Sequence, residues 1–79
     1  MLVQVYVPIV NQKFDIYIPK NLRVYQTIEL LVTLLKKRKE DSFVDKDIVL
    51  CEKSSGKILD VNITNAEANI VSGAELMLI

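Results

Sequence analysis

The sequence predicts an α+β domain in which one helix packs across one face of a mixed sheet, with the element order β-β-α-β-β-β. Three observations predict it. Residues 27–39, TIELLVTLLKKRK, carry a helical apolar repeat: Ile28, Leu31, Val32 and Leu35 recur at i, i+3, i+4 and i+7. The chain on either side alternates apolar and polar residues over short runs, the pattern of strands with one buried face. Finally, 79 residues are expected to make one domain, 1–79, with room for one helix on one sheet.

Residues 2–9 read as the first strand, with Val3, Val5 and Val7 on one face and Gln4 and Tyr6 on the other. Pro8 cannot donate to a ladder, so it belongs at the strand's end. Val10-Asn11-Gln12-Lys13 is a polar turn, and residues 14–18 form a second strand with Phe14, Ile16 and Ile18 inward. Two such runs joined by a short polar link make a hairpin. Pro19 ends it, and Leu22 and Val24 are expected to plug the N-terminal end of the helix. Thr27 stands where a hydroxyl caps the first turn. Glu29 at the start and Lys36, Lys37, Arg38 and Lys39 at the end suit the helix dipole. Phe43 and Val44 are expected to pack on the helix C-terminus. Strands then follow at 48–52, 57–59 and 75–79, with turns at Gly56 and at Ser72-Gly73. The stretch 60–69 is irregular, with one helical turn near Ala66 and Ala68, and Ile70 is an isolated apolar anchor.

Composition restricts the partners. Ten basic and ten acidic residues cancel. No net positive field draws nucleic acid or an anionic membrane, and neither is expected as a partner. A composition 51% hydrophobic, with mean hydropathy +0.27, exceeds what so small a domain can hide, so apolar surface is expected outside. With no net repulsion, a homodimer through that surface stands as an open reading. The single cysteine, Cys51, forms no intrachain disulfide and fits a reducing cytoplasm. The opening MLVQVYVP alternates as a strand does, without the basic start of a signal peptide. No uncharged apolar run approaches the roughly 18–20 residues that cross a bilayer, so membrane insertion is not expected.

Catalytic chemistry is not expected either. The chain has no histidine, which removes Ser-His and Cys-His nucleophile pairs, histidine metal sites and the commonest general base. One cysteine makes no CxxC zinc site, and Gly56 and Gly73 stand far from the helix start, so no phosphate-binding glycine loop exists. Lys53 beside Ser54 and Ser55 reads as a polar hairpin turn. Glu40/Asp41 and Asp45/Asp47 read as solvated loops. No enzyme activity, cofactor or metal is therefore expected.

Two surfaces are candidates for recognition. At 100° per residue, Leu30 and Leu34 point away from the helix's core stripe and form a ridge one turn apart. Alternatively, the stripe is wide, or the stretch 61–70 covers them. The second surface is the outer face of the sheet. If Ile48, Leu50, Leu76 and Leu78 point inward, then Val49, Cys51, Met77 and Ile79 point outward and join Tyr6 and Tyr17. Tyr6, Val49, Met77 and Ile79 are the candidate protein-binding residues of this face. Cys51 is expected among them as a small hydrophobe. The four basic residues ending the helix are a solvated terminus or a steering patch for an acidic partner.

The hairpin-first order, Gln26-Thr27-Ile28-Glu29 opening the sole helix, and the close Asn69-Ile70, Ser72-Gly73, Glu75-Leu76-Met77-Leu78-Ile79 resemble the ubiquitin-like β-grasp fold over nearly the whole chain. Within that fold the chain most resembles the YukD/EsaB family. The features are the immediate N-terminal strand, the Leu/Val-rich helix, Ile63, Asn65 and Ala66 before the last turn, the Ser-Gly turn and the abrupt Leu-Met-Leu-Ile end. The resemblance implies a cytoplasmic, non-enzymatic accessory protein of a Gram-positive type VII (ESAT-6/WXG100) secretion system, with secretion-machine proteins as partners. A conjugated modifier or sulfur carrier needs a tail ending in Gly-Gly. The sequence closes at Ile79 without one, so noncovalent action is the expectation. Two alternatives stand: a modifier or sulfur carrier matured from a longer precursor, and a ubiquitin-fold accessory subunit of a multicomponent enzyme such as an oxygenase.

Overall fold

A computed structural model describes residues 1–37 and 48–79. The expected packing of Phe43 and Val44, the two carboxylate pairs, and the Arg38 and Lys39 end of the basic cluster lie outside the described residues.

Strand β1 (Leu2–Val7) and strand β2 (Gln12–Tyr17) form the antiparallel hairpin. Pro8 starts the link immediately after β1, as a proline without a ladder donor must. The link is a tight 3-10 turn, Pro8–Val10, closed by Asn11 at φ 50°, a left-handed position asparagine tolerates. Because this turn is compact, β2 begins at Gln12, two residues before the hydrophobic alternation does. The Met1 amino group and the Ile18 N–H exchange backbone bonds of 2.9 Å each with Ile18 and Met1 carbonyls, which fixes the hairpin register.

Helix α1 (Val24–Lys37) starts three residues before the expected cap. Thr27 is not the cap: it lies inside the helix and is fully buried. The first turn is closed at Arg23, whose carbonyl accepts from the N–H of Gln26 (3.0 Å) and of Thr27 (3.1 Å), while the Gln26 side chain accepts from the Arg23 N–H (3.0 Å). Helix ends leave N–H groups unsatisfied. Here the carbonyls of Ile63 and Val61 take those of Val24 (2.9 Å) and Tyr25 (3.1 Å). A remote segment therefore does the work that a local hydroxyl was expected to do. The core face is as the period predicts: Val24, Leu31, Val32 and Leu35 are buried and Ile28 packs against them.

Strand β3 (Leu50–Glu52) and strand β4 (Glu75–Leu78) complete a four-stranded sheet in the order β2-β1-β4-β3. β4 runs parallel to β1 and antiparallel to β3. The expected strand at 57–59 is reduced to one bridge, Ile58 to Cys51, with Leu59 anchored by its N–H on the Leu50 carbonyl at 2.9 Å. Gly56 at φ +72° closes the turn before it, a backbone position that side-chain-bearing residues rarely adopt.

Where a helical turn is expected near Ala66, the connection 60–74 carries a hydrogen-bonded turn, with the Ala68 N–H on the Thr64 carbonyl (2.9 Å) and the Asn69 N–H on the Ala66 carbonyl (3.0 Å). Its start is a reciprocal cap: the Glu67 carboxylate accepts from the Thr64 N–H (3.0 Å) and the Thr64 hydroxyl accepts from the Glu67 N–H (3.1 Å). The bond from the Thr64 backbone, then that from its side chain, holds the Glu67 carboxyl below its ordinary value, with a smaller pull from Arg23. A pKa lowered on folding contributes stability above the unfolded value and loses it as pH falls through the folded one. The melting temperature is therefore expected to drop more steeply on acidification in the wild type than in Glu67→Gln, which keeps an acceptor oxygen without the charge. Parallel slopes in thermal melts from about pH 5 to 3 would remove this contribution.

The core lies between α1 and the inner sheet face, where Val3, Val5, Val7, Phe14, Ile18, Leu50, Leu76 and Leu78 meet Leu31 and Leu35. Leu59 and Ile70 close it from the side of the long connection.

Candidate protein-binding face

Cross-strand partners share a face, so the register assigns the outer side of the sheet residue by residue. One row runs Lys13, Tyr6, Met77, Cys51 and Ile58 across all four strands and the bridge. Beside it, Val49 and Ile79 exchange both backbone bonds, at 2.7 and 3.0 Å, and form a second apolar pair. All four expected residues, Tyr6, Val49, Met77 and Ile79, are therefore on one face and adjacent. Tyr6, Val49 and Met77 are half-buried among their neighbours, and Ile79 is exposed.

On the other side of the Tyr6 row the face becomes polar, with Asp15, Gln4 and Glu75 in register. Lys53 links the two zones: its ammonium lies 5.5 Å from the centre of the Tyr6 ring and 3.9 Å from the Glu75 carboxylate. Beyond them Leu2 and Tyr17 pair and are exposed. The apolar patch is thus bounded by charge along one side, the arrangement of a protein interface with an apolar centre and polar rim.

Cys51 departs from expectation. It stands in the outer row, but only 1% of its surface is accessible. Its cross-strand partners in the row, Met77 and Ile58, are both larger and stand on either side of it. Burial pushes its thiol above the ordinary value, so at neutral pH it is protonated and shielded. The patch presents Tyr6, Met77 and Ile58 over Cys51, not the thiol itself. Ile58, 61% exposed, was missed by the sequence reading, although Leu59 pointing inward sends Ile58 outward by simple alternation.

The helix ridge is split. Leu30 is 46% exposed and lines a shallow depression with Leu22, Gln26, Glu29 and Thr33, whereas Leu34 is half-buried. The two leucines do not present equal surfaces, and the ridge contributes one exposed apolar side chain against several on the sheet.

No group of three or more metal-ligating side chains occurs among the described residues. Ser54 and Ser55 both donate to the Glu52 carboxylate, at 3.1 and 3.0 Å, which makes them turn-formers around Gly56 and not partners of Lys53. A cleft of about 380 Å³ lies between that turn and the last connection, floored by Leu59, Ala68, Ile70 and Ala74 with Glu52 and Glu75 at its rim. Among the described residues no helix is long and apolar enough to cross a membrane.

No family model matches the chain, and no curated protein matches it. Solved structures do. The N-terminal ubiquitin-like domain of the 4931431F19Rik protein is similar at a TM-score of 0.77 and 18% identity, over 100% of this chain and 72% of that one. The ubiquitin-like domain of Arabidopsis thaliana protein At2g32350 is similar at 0.76 and 19% identity, over 100% and 74%. The EccD5 ubiquitin-like domain from Mycobacterium xenopi is similar at 0.71 and 15% identity, over 99% and 90%. The fold is the ubiquitin-like β-grasp: a mixed four-stranded sheet with one helix across it.

Proposed function

We propose that this chain is a non-enzymatic ubiquitin-like interaction module that binds a protein partner noncovalently through the outer face of its sheet. We assign it to the YukD/EsaB type, a cytoplasmic accessory or regulatory component of a Gram-positive type VII secretion system. The observation that carries the binding role is the contiguous apolar surface of Tyr6, Met77 and Ile58 beside Val49 and Ile79, edged by Lys53 and Glu75. The secretion assignment rests on the sequence resemblance, and the ubiquitin-like fold is consistent with it.

Co-purification with the WXG100 substrates and the FtsK/SpoIIIE-like ATPase of the same genome tests the reading. The wild-type chain is expected to capture one of them. Val49→Arg is expected to weaken capture at least tenfold while the melting temperature stays within a few degrees. Ile79→Arg, at a more exposed position, repeats the test without touching the core. Capture undiminished by both variants would move the binding surface elsewhere. Oxygenase-subunit genes beside this one would favour the accessory-subunit alternative. Codons for a Gly-Gly extension beyond Ile79 would favour the modifier.

A further inference from the structure

Strand β2 is an edge. Among the described residues it has β1 as its sole neighbour in the sheet order, and Gln12, Lys13, Asp15 and Tyr17 are exposed along it. The reciprocal bonds between Met1 and Ile18 set the alternation of the hairpin ladder. In that register Gln12, Phe14 and Ile16 bond inward to β1, and Lys13, Asp15 and Tyr17 turn their N–H and C=O groups to the open side. Such an edge is a template for another strand.

The side chains of this edge select the strand it accepts. Lys13 and Asp15 stand two residues apart on the outer face, with no ion pair between them or to any described residue. Antiparallel pairing of β2 with its own copy must place open-edge residues opposite one another, which leaves few registers. Centred on Lys13 or on Asp15, the pairing sets like charges directly opposite. Centred on Ile16, it leaves Asp15 against Tyr17 and Lys13 against Pro19, which has no N–H. Centred on Phe14, it sets Lys13 against Asp15 of the second copy and Asp15 against its Lys13, two opposite-charge pairs related by the two-fold axis. Tyr17 then faces Asn11 of the other copy, which lies outside the strand with its N–H on its own Pro8 carbonyl, so the new ladder rests on the two Lys13–Asp15 pairs.

We propose that two copies of this chain associate edge to edge through β2, antiparallel and centred on Phe14. The result is one continuous eight-stranded sheet with both helices on the same side. It joins the two outer faces, so the patches around Tyr6 and Met77 lie on a single surface. This association is independent of which partner that surface binds.

Charge reversal tests it. The wild-type chain is expected to dimerise with rising concentration in sedimentation equilibrium. Lys13→Glu and Asp15→Lys each place like charges at both cross-strand pairs and are each expected to weaken dimerisation about tenfold or more. The double variant Lys13→Glu/Asp15→Lys restores both pairs and is expected to recover it. An equimolar mixture of the two single variants is expected to form a heterodimer, because each supplies what the other lacks. Amide exchange at Lys13, Asp15 and Tyr17 is expected to slow as concentration rises. A strict monomer at millimolar concentration, or a dimer indifferent to all three variants, would overturn the proposal. So would a dimer whose added protection falls on β3 or β4.

Discussion

Asn65→Ala is expected to lower the melting temperature by roughly 10–25 °C, from a cost of about 2–4 kcal/mol in a domain of this size. Asn65 is fully buried between the long connection and the helix. Its amide nitrogen donates to the Pro19 carbonyl and to the Thr27 hydroxyl, both at 2.8 Å, and its side-chain oxygen lies 3.1 Å from that hydroxyl. Its backbone N–H reaches the Leu22 carbonyl at 2.8 Å, and its carbonyl accepts from Ile70 at 3.1 Å. Truncation leaves the Thr27 hydroxyl short of a partner in a fully buried site and takes a donor from the part-buried Pro19 carbonyl. A buried polar group left unsatisfied costs about 1–3 kcal/mol. Asn62→Ala, on the exposed surface of the same connection, is the control and is expected to change stability by less than about 0.5 kcal/mol. Thr27→Val is expected to cost less than Asn65→Ala, and the double variant less than the sum, because the two share one interaction. If Asn65→Ala melts within two or three degrees of wild type, the Asn65 side chain adds little to what Ile70 and the backbone bonds to the start of α1 already hold.

Leu31→Ala is expected to cost about 2–5 kcal/mol, the range for emptying a closed leucine site, whereas Leu30→Ala one residue earlier is expected to cost well under about 1 kcal/mol. Leu31 is 2% exposed and packs in the main core; Leu30 is 46% exposed on the far side of α1. A domain with a total stability of roughly 5–15 kcal/mol feels the first change as a large share and the second hardly at all. Urea unfolding monitored by circular dichroism reads both as shifts of the midpoint at constant slope. Equal shifts would mean that the rotational phase of the helix is wrong, and with it the separation of Leu30 from the core.

The faces of the elements were legible because their periods are local. Alternation in β1 places Val3, Val5 and Val7 inward and Tyr6 outward whatever lies beside the strand. The 3.6-residue repeat likewise separates Leu31 and Leu35 from Leu30. The same reasoning collected Tyr6, Val49, Met77 and Ile79 on one surface, and simple alternation would have added Ile58. The cap of Thr64 on Glu67 was equally available, as a Thr-x-x-Glu pattern in the stretch read as irregular. The helix start was misplaced because Thr27 satisfies the local rule for a cap. Only the arrival of Asn65, thirty-eight positions later, makes that hydroxyl more useful inside.

Local periodicity thus establishes which side of each element is apolar and that one helix serves one sheet, and composition establishes that histidine chemistry is absent. The order of the strands was decided in the tertiary structure. The parallel pairing of β1 with β4 brings Tyr6 beside Met77 and leaves β2 at the edge, with no ion pair from Lys13 or Asp15 to any described residue. Periodicity reports how a segment divides its own surface. It carries no information about which distant segment will cover that surface. Cys51 shows the difference in one residue: alternation sets it on the outer face, and only its tertiary surroundings, with Met77 and Ile58 as its cross-strand partners, decide that solvent does not reach it.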